Sequence, residues 1–326
     1  MHTLGIRSVL LALIALLIPA MPSAAQAAPP AEPFHLDLPE WNPDPEDLPP
    51  ELRPLDIVRP TLPDEVADEV ARLEASIAEL KELGLTAETR EEQDAALDEA
   101  IELAERVLAI RIEHQGNTDE LVRWRDVNGE PSEWWELRDA RQILQSLQYI
   151  FKLVNKDRAA LADLIASNIA AEDAFNQRHF AKALAISEEQ LDIRTRVLGR
   201  EHPDTLGTLN NIAIVLRLQR RIDEATERCI IVAEARHLAF GDDHPDTIES
   251  LNETGSLLQS AKRHEDALTY FQRALPHIRR IYGDGHPNTL TVINNIGQAY
   301  KARGELTKAE PYVQFALHAA LDYLGT

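Results

Sequence analysis

The sequence predicts an all-α protein, an α–α superhelical solenoid of stacked helical hairpins. Three observations predict it. The block His202-Pro203-Asp204-Thr205 returns as His244-Pro245-Asp246-Thr247 and as His286-Pro287-Asn288-Thr289, each time after 42 residues. Other positions keep that step: Gly199, Gly241, Gly283 and Gly325; Asn210, Asn252 and Asn294; Ala225, Ala267 and Ala309. A fixed period of roughly 20–50 residues marks units that each hide an apolar face against the next. Third, 5% aromatic residues and 13 glycines in 326, with abundant Ala, Leu and Glu, favour helix over sheet.

In chain order, residues 1–27 read as a signal peptide. Arg7 supplies a positive start, Ser8 to Ala20 an apolar run too short to span a bilayer, and Ala25-Gln26-Ala27 a cleavage site. The expected location is therefore secreted or periplasmic, with no membrane insertion after cleavage. Residues 28–63 hold eleven prolines and many acids, and are expected to be a disordered, extended linker.

Residues 64–158 read as an N-terminal helical region with a partial repeat. Val66, Val70, Leu73, Ile77 and Leu80 form a narrow seam for pairing with another helix. Thr89 and Glu92 make a capping box for the next helix, which stops at Gly116. Asn128-Gly129 and Pro131 mark a turn. Trp124, Trp134 and Trp135 are expected to plug the end of a helical stack. A further helix runs from about 133 to 154, and Asp157 is expected to cap the one after it.

Residues 159–326 read as four hairpins. Pro203, Pro245 and Pro287 suit the first helical position, where a missing N–H is no loss. The periodic glycine suits a left-handed helix end. In the first helix, Leu209, Leu251 and Ile293 precede a small residue (Ala213, Gly255, Gly297). In the second, Ala225, Ala267 and Ala309 precede Cys229, Phe271 and Val313. Counting back gives Asn168, Ala171 and Ala183, a first repeat without the His-Pro signature. This large–small order resembles the tetratricopeptide repeat, in its kinesin-light-chain-like variety with 42-residue spacing. Thr254 and Cys229 depart from the family pattern.

No catalytic constellation stands out. His264-Glu265-Asp266 lacks the second histidine of a zinc motif, and no phosphate-binding glycine loop is present. His202, His244 and His286 come one per repeat, too far apart for one metal ion, so no metal or other cofactor is expected. A lone Cys229 forms no internal disulfide and reads as a small buried hydrophobe. A net charge of −22 argues against a nucleic-acid partner.

The resemblance places Asn168, Asn210, Asn252 and Asn294 on the concave wall of the superhelix. A carboxamide donates and accepts, so such a row can hold the backbone of an extended peptide. Arg217, Ser256, Gln259, Gln298 and Lys301 are expected to face the same groove. The expected function is a non-catalytic scaffold that binds a peptide or protein segment there. Two alternatives stay open: an assembly protein that oligomerises through its helices, and the accessory subunit of an enzyme.

Overall fold

The computed structural model describes residues 43–55, 59–116 and 132–324. The signal segment, Trp124, the turn at Asn128-Gly129 and Pro131, and Gly325 lie outside the described residues. Among the described residues there are eleven α-helices and no strand: α1 Asp64–Thr86, α2 Arg90–Gln115, α3 Trp135–Lys152, α4 Asn155–Asn176, α5 Phe180–Val197, α6 Pro203–Leu218, α7 Ile222–Phe240, α8 Pro245–Ser260, α9 His264–Tyr282, α10 Pro287–Ala302 and α11 Leu306–Leu324. The helices from α4 onwards pair as α4–α5, α6–α7, α8–α9 and α10–α11, and each pair packs on the next. This is the expected superhelical repeat.

The slots read from the period form its core. Leu251, Ile293, Ala225, Ala267 and Phe271 are fully buried, and Leu209 and Cys229 nearly so. Burial raises the Cys229 thiol to about 12, so the sulfur stays a neutral packing group. The last pair is looser: Val313 and Ala316 are half-buried, because no further hairpin follows among the described residues.

Each His-Pro start has a local cause. The His202, His244 and His286 side chains cap their helices: each Nδ1 accepts the N–H two residues on, at 3.2, 3.0 and 3.2 Å. Burial lowers the pKa of His202, against the pull of Asp204, and lowers that of His286. The fold thus favours the neutral ring, whose Nδ1 lone pair the cap needs. Its contribution is present above the ordinary histidine range and is lost as pH falls through the lowered values. The melting temperature should therefore drop between pH 7 and 5. His286→Asn, a cap that does not titrate, should remove its share, about 1 kcal/mol. A pH profile unchanged in that variant would refute the assignment.

At the other helix ends, Gly241 and Gly283 adopt φ 79° and 88° with ψ 169°. This corrects the expected left-handed helical end: the backbone is in the mirror-extended region that only glycine enters freely. The left-handed turns fall instead between the two helices of each pair, at Arg178, Arg220, Lys262 and Gly304, again 42 residues apart.

The N-terminal helices are joined to this stack. Val70 and Ile77 of the α1 seam bury against Leu97, Ala100, Ala104 and Val107 of α2, so the seam pairs within the chain. Thr89 and Glu92 make the expected capping box. The helix assigned to an Asp157 cap starts earlier, at Asn155, where the extended Val154 ends the turn from α3.

α3 crosses the junctions between hairpins. Ser146 Oγ lies 2.9 Å from His202 Nε2, and Asp139 Oδ1 2.8 Å from His244 Nε2. The same helix satisfies carbonyls at the ends of second helices: Tyr149 Oη donates to Val197 O, Gln142 to Ala239 O, and Arg138 to Phe240 O. Trp134 is buried beside Leu48 and Leu52, and Trp135 meets His244 edge-on at 5.7 Å. The two tryptophans therefore wedge against the side of the stack, not its end, because α3 lies along its flank.

Part of the 28–63 segment also departs from expectation. Leu48 and Leu52 are buried, and Pro50–Leu52 forms a 3-10 turn against α9. Low average hydrophobicity did not disclose this docking, which uses two leucines and polar anchors from the far end of the chain.

Candidate peptide-binding groove

The first helices of successive pairs share one face, and the joints between pairs open onto it. One joint, built by α4, α5 and α6, holds a cavity of about 730 Å³ lined by Asn168, Glu172, Arg194, Asp204, Thr208 and Asn211. A joint two repeats on, built by α8, α9 and α10, holds a cavity of about 350 Å³ lined by Asp246, Glu249, Asn252, Ile278, Tyr282 and Asn288. Asn168 and Asn252 occupy the same slot in the two cavities.

The carboxamides are partly engaged. Asn168 Oδ1 accepts from Arg194 Nη2 at 3.0 Å, and Asn252 Oδ1 accepts from Asn295 Nδ2 at 3.1 Å. Each keeps its own amide N–H pair. Asn210 and Asn294 are half-buried in the equivalent slots, outside both cavities. The remaining expected site residues do not line either cavity. Arg217 bridges to Glu253 of the next first helix at 2.8 Å, and Ser256 Oγ donates to Asn252 O. Gln259 and Gln298 are half-buried and Lys301 is exposed.

The sequence reading missed the polar joint that organises the wall. Arg194 bonds to Thr208, and Arg236 bonds to Ser250 Oγ at 2.7 Å and Asp246 O at 2.9 Å. At the third joint the same slots hold Ile278 and Val292, and Asp204 and Asp246 give way to Asn288. Arginine, hydroxyl and acid are thus present together or replaced together, which a 42-residue alignment of the chain on itself displays. The charges are tuned by their surroundings. Burial alone would raise the Asp204 carboxyl, but Lys81, His202 and Arg194 outweigh it and hold it below its ordinary value. Burial, then Asp246 and Glu249, push the Tyr282 phenol up. The Arg194 guanidinium is lowered by burial, which Asp204 opposes.

Among the described residues no group of three or more His, Cys, Asp or Glu could hold a metal ion, and no helix is long and apolar enough to cross a membrane. The wall is a surface of hydrogen-bond donors, acceptors and acids.

A protein-family model described as tetratricopeptide repeat matches residues 161–228, 204–276 and 252–320. Residues 161–320 are tetratricopeptide repeats. The three overlapping matches follow the hairpins from α4 to α11. No curated protein matches the chain. Among solved structures, BtubC (BKLC) from P. vanneervenii is similar at 17% identity and TM-score 0.49, over 80% of this chain and 93% of that one. Kinesin light chain TPR-like repeats from Podosopora anserina are similar at 17% identity and TM-score 0.41, over 78% and 97%. A point variant of those repeats gives 16% and 0.42, over 79% and 99%. Tetratricopeptide repeats typically mediate protein–protein interaction, and each first helix here belongs to such a unit.

Proposed function

We propose that this protein is a non-catalytic interaction scaffold that holds an extended peptide or protein segment along the first-helix wall. The observation that carries the reading is the recurrence of one asparagine slot, open to a cavity at Asn168 and at Asn252. An amide pair at regular spacing can hold a peptide backbone without reading its side chains. Asp204 is paired with Lys81 and Asp246 with Arg236, and the remaining cavity acids, Glu172 and Glu249, favour a segment of basic or neutral character. The apolar seam that an assembly role would use is already covered by α2. The signal-like residues 1–27 support action outside the cytoplasm.

Asn168→Ala combined with Asn252→Ala should weaken capture of the partner by about tenfold, roughly 1.4 kcal/mol. Helicity and melting temperature should stay close to those of the parent, since neither residue is fully buried. Equal partner recovery by variant and parent in affinity capture from the extracytoplasmic fraction, read by mass spectrometry, would falsify the groove assignment.

A further inference from the structure

A second surface, on the second helices, already holds a peptide: the chain's own leader. Glu51 accepts hydrogen bonds from Gln272 Nε2 of α9, at 3.2 Å, and from the Tyr312 hydroxyl of α11. Arg279 donates to the carbonyls of Glu51 and Arg53, the latter at 3.1 Å. It is held for this by Asp284, at 2.6 Å from Nε and 3.1 Å from Nη2, and its guanidinium lies over the Phe315 ring at 5.1 Å from the centroid. Leu48 and Leu52, four residues apart, join one apolar cluster with Phe271, Leu275 and Phe315. Downstream, Arg59 Nε donates to the Arg280 carbonyl at 2.6 Å. Burial and the neighbouring Glu51 carboxylate push the Tyr312 phenol up, so it remains a donor.

Gln272 and Tyr312 repeat as Gln314 and Tyr270, but Arg279 and Phe315, which close this surface, break the 42-residue period. The slot of Arg279 holds Thr195, His237 and Leu321 elsewhere, and that of Phe315 holds Glu189, Ile231 and Arg273. A residue that only stacks hairpins is needed in every hairpin. A residue needed once faces a neighbour present once, and here that neighbour is the leader.

We propose that the surface shared by α9 and α11 is a peptide-binding site, separate from the first-helix wall, whose ligand is the leader of the same chain around Leu48, Glu51 and Leu52. The recognised chemistry is a turned segment, with a 3-10 turn at Pro50–Leu52, two leucines four residues apart and a carboxylate just before the second. Arg279 reads the backbone, Gln272 and Tyr312 read the carboxylate, and the cluster around Phe271 takes the leucines. Two leucines are a small anchor for a segment of this length, so the leader can leave while the hairpins stay folded. The covalent link keeps its effective concentration high, and a free copy of the segment competes poorly with it.

The test uses the full chain and a fluorescent synthetic peptide with the sequence of residues 43–55, read by anisotropy. Leu52→Asp displaces the resident segment, so this variant should bind the peptide at least tenfold more tightly than the parent. Adding Arg279→Ala should remove that gain, and Glu51→Ala in the peptide should weaken it. Circular dichroism checks that helicity is kept. If Leu52→Asp alters it, the pair Leu48→Asp and Glu51→Ala opens the site by a different route, with the same gain expected. No gain in either opened variant, or a gain that survives Arg279→Ala, overturns the site. A parent that scatters light as a dimer and becomes monomeric with Leu52→Asp overturns the same-chain assignment. Asn168→Ala with Asn252→Ala in the opened variant should leave peptide binding unchanged, which separates this site from the first-helix wall.

Discussion

Phe271→Ala lowers the unfolding free energy by about 3–5 kcal/mol. Its ring is fully buried and fills the space that Gly255 leaves open: a Cβ built at Gly255 would stand 2.5 Å from Phe271 Cε1. The neighbouring hairpins solve the same contact with other sizes, Ala213 against Cys229 and Gly297 against Val313. At Gly297 an added Cβ would meet Val313 Cγ2 at 3.3 Å, a milder conflict. Gly255→Ala should therefore cost about 1–3 kcal/mol by overpacking, reduced by the ~1 kcal/mol that alanine gains over glycine in a helix. Gly255→Ala with Phe271→Cys recreates the pair found in the second hairpin. The double variant should be more stable than the sum of the single changes requires, by about 0.5–3 kcal/mol. Urea unfolding of the four proteins measures the cycle. Strict additivity would show that the two positions do not share the space.

Arg158→Leu should destabilise the chain by about 1.5–3 kcal/mol. The Arg158 side chain is 1% exposed, lies 2.9 Å from Asp94 and donates to the Phe151 carbonyl. Arg90 reaches the same turn, donating to Leu153 O at 3.1 Å, to Phe151 O at 3.2 Å and to Asp94 at 3.1 Å. The two arginines fasten α2 to the turn between α3 and α4. Asp94 stays partly solvated and keeps Arg90, which holds the cost below that of a fully stranded charge. The loss should appear first as faster amide exchange in α1 to α3, with α8 to α11 little changed. Burial alone would raise Asp94, but hydrogen bonds from Arg90 and Arg158, and their charges, outweigh it and lower the pKa. Its stabilisation is therefore present above the ordinary aspartate range and is lost as pH falls through the lowered value. Arg158→Leu should shrink that acid-side loss; a variant with the parent's acid titration would contradict the pairing.

What the sequence disclosed follows from what repetition makes visible. His202, His244 and His286 showed where first helices begin, and the alternation of Leu251 with Gly255 and of Ala267 with Phe271 showed what they bury. The row of asparagines was visible for the same reason, but its engagement was not. Asn168 meets Arg194 and Asn252 meets Asn295, and these bonds depend on how far each hairpin rotates on the last. Contacts made once left no periodic trace. The leader was read as a linker because local composition says nothing of Arg279 or Tyr312, more than 220 positions along the chain. Likewise nothing in α3 announced that Asp139 and Ser146 would meet two histidines. The signal was indirect: residues such as Arg279 and Phe315 that fail to repeat.

Asp139 and Ser146 lie seven residues apart on one straight rod, about 10 Å at the α-helical rise. The histidines they touch belong to neighbouring coils of what is otherwise a spring. A rod bolted to two adjacent coils fixes their pitch, and the joint between the α6–α7 and α8–α9 hairpins cannot stretch or wind without breaking both bolts. His286 stacks on Tyr282 at the end of the preceding repeat and has no such tie to α3. Elastic give along the coil should therefore collect towards the carboxyl end, where the mouth of the acidic cavity at Glu249 and Asn288 would widen or narrow with it.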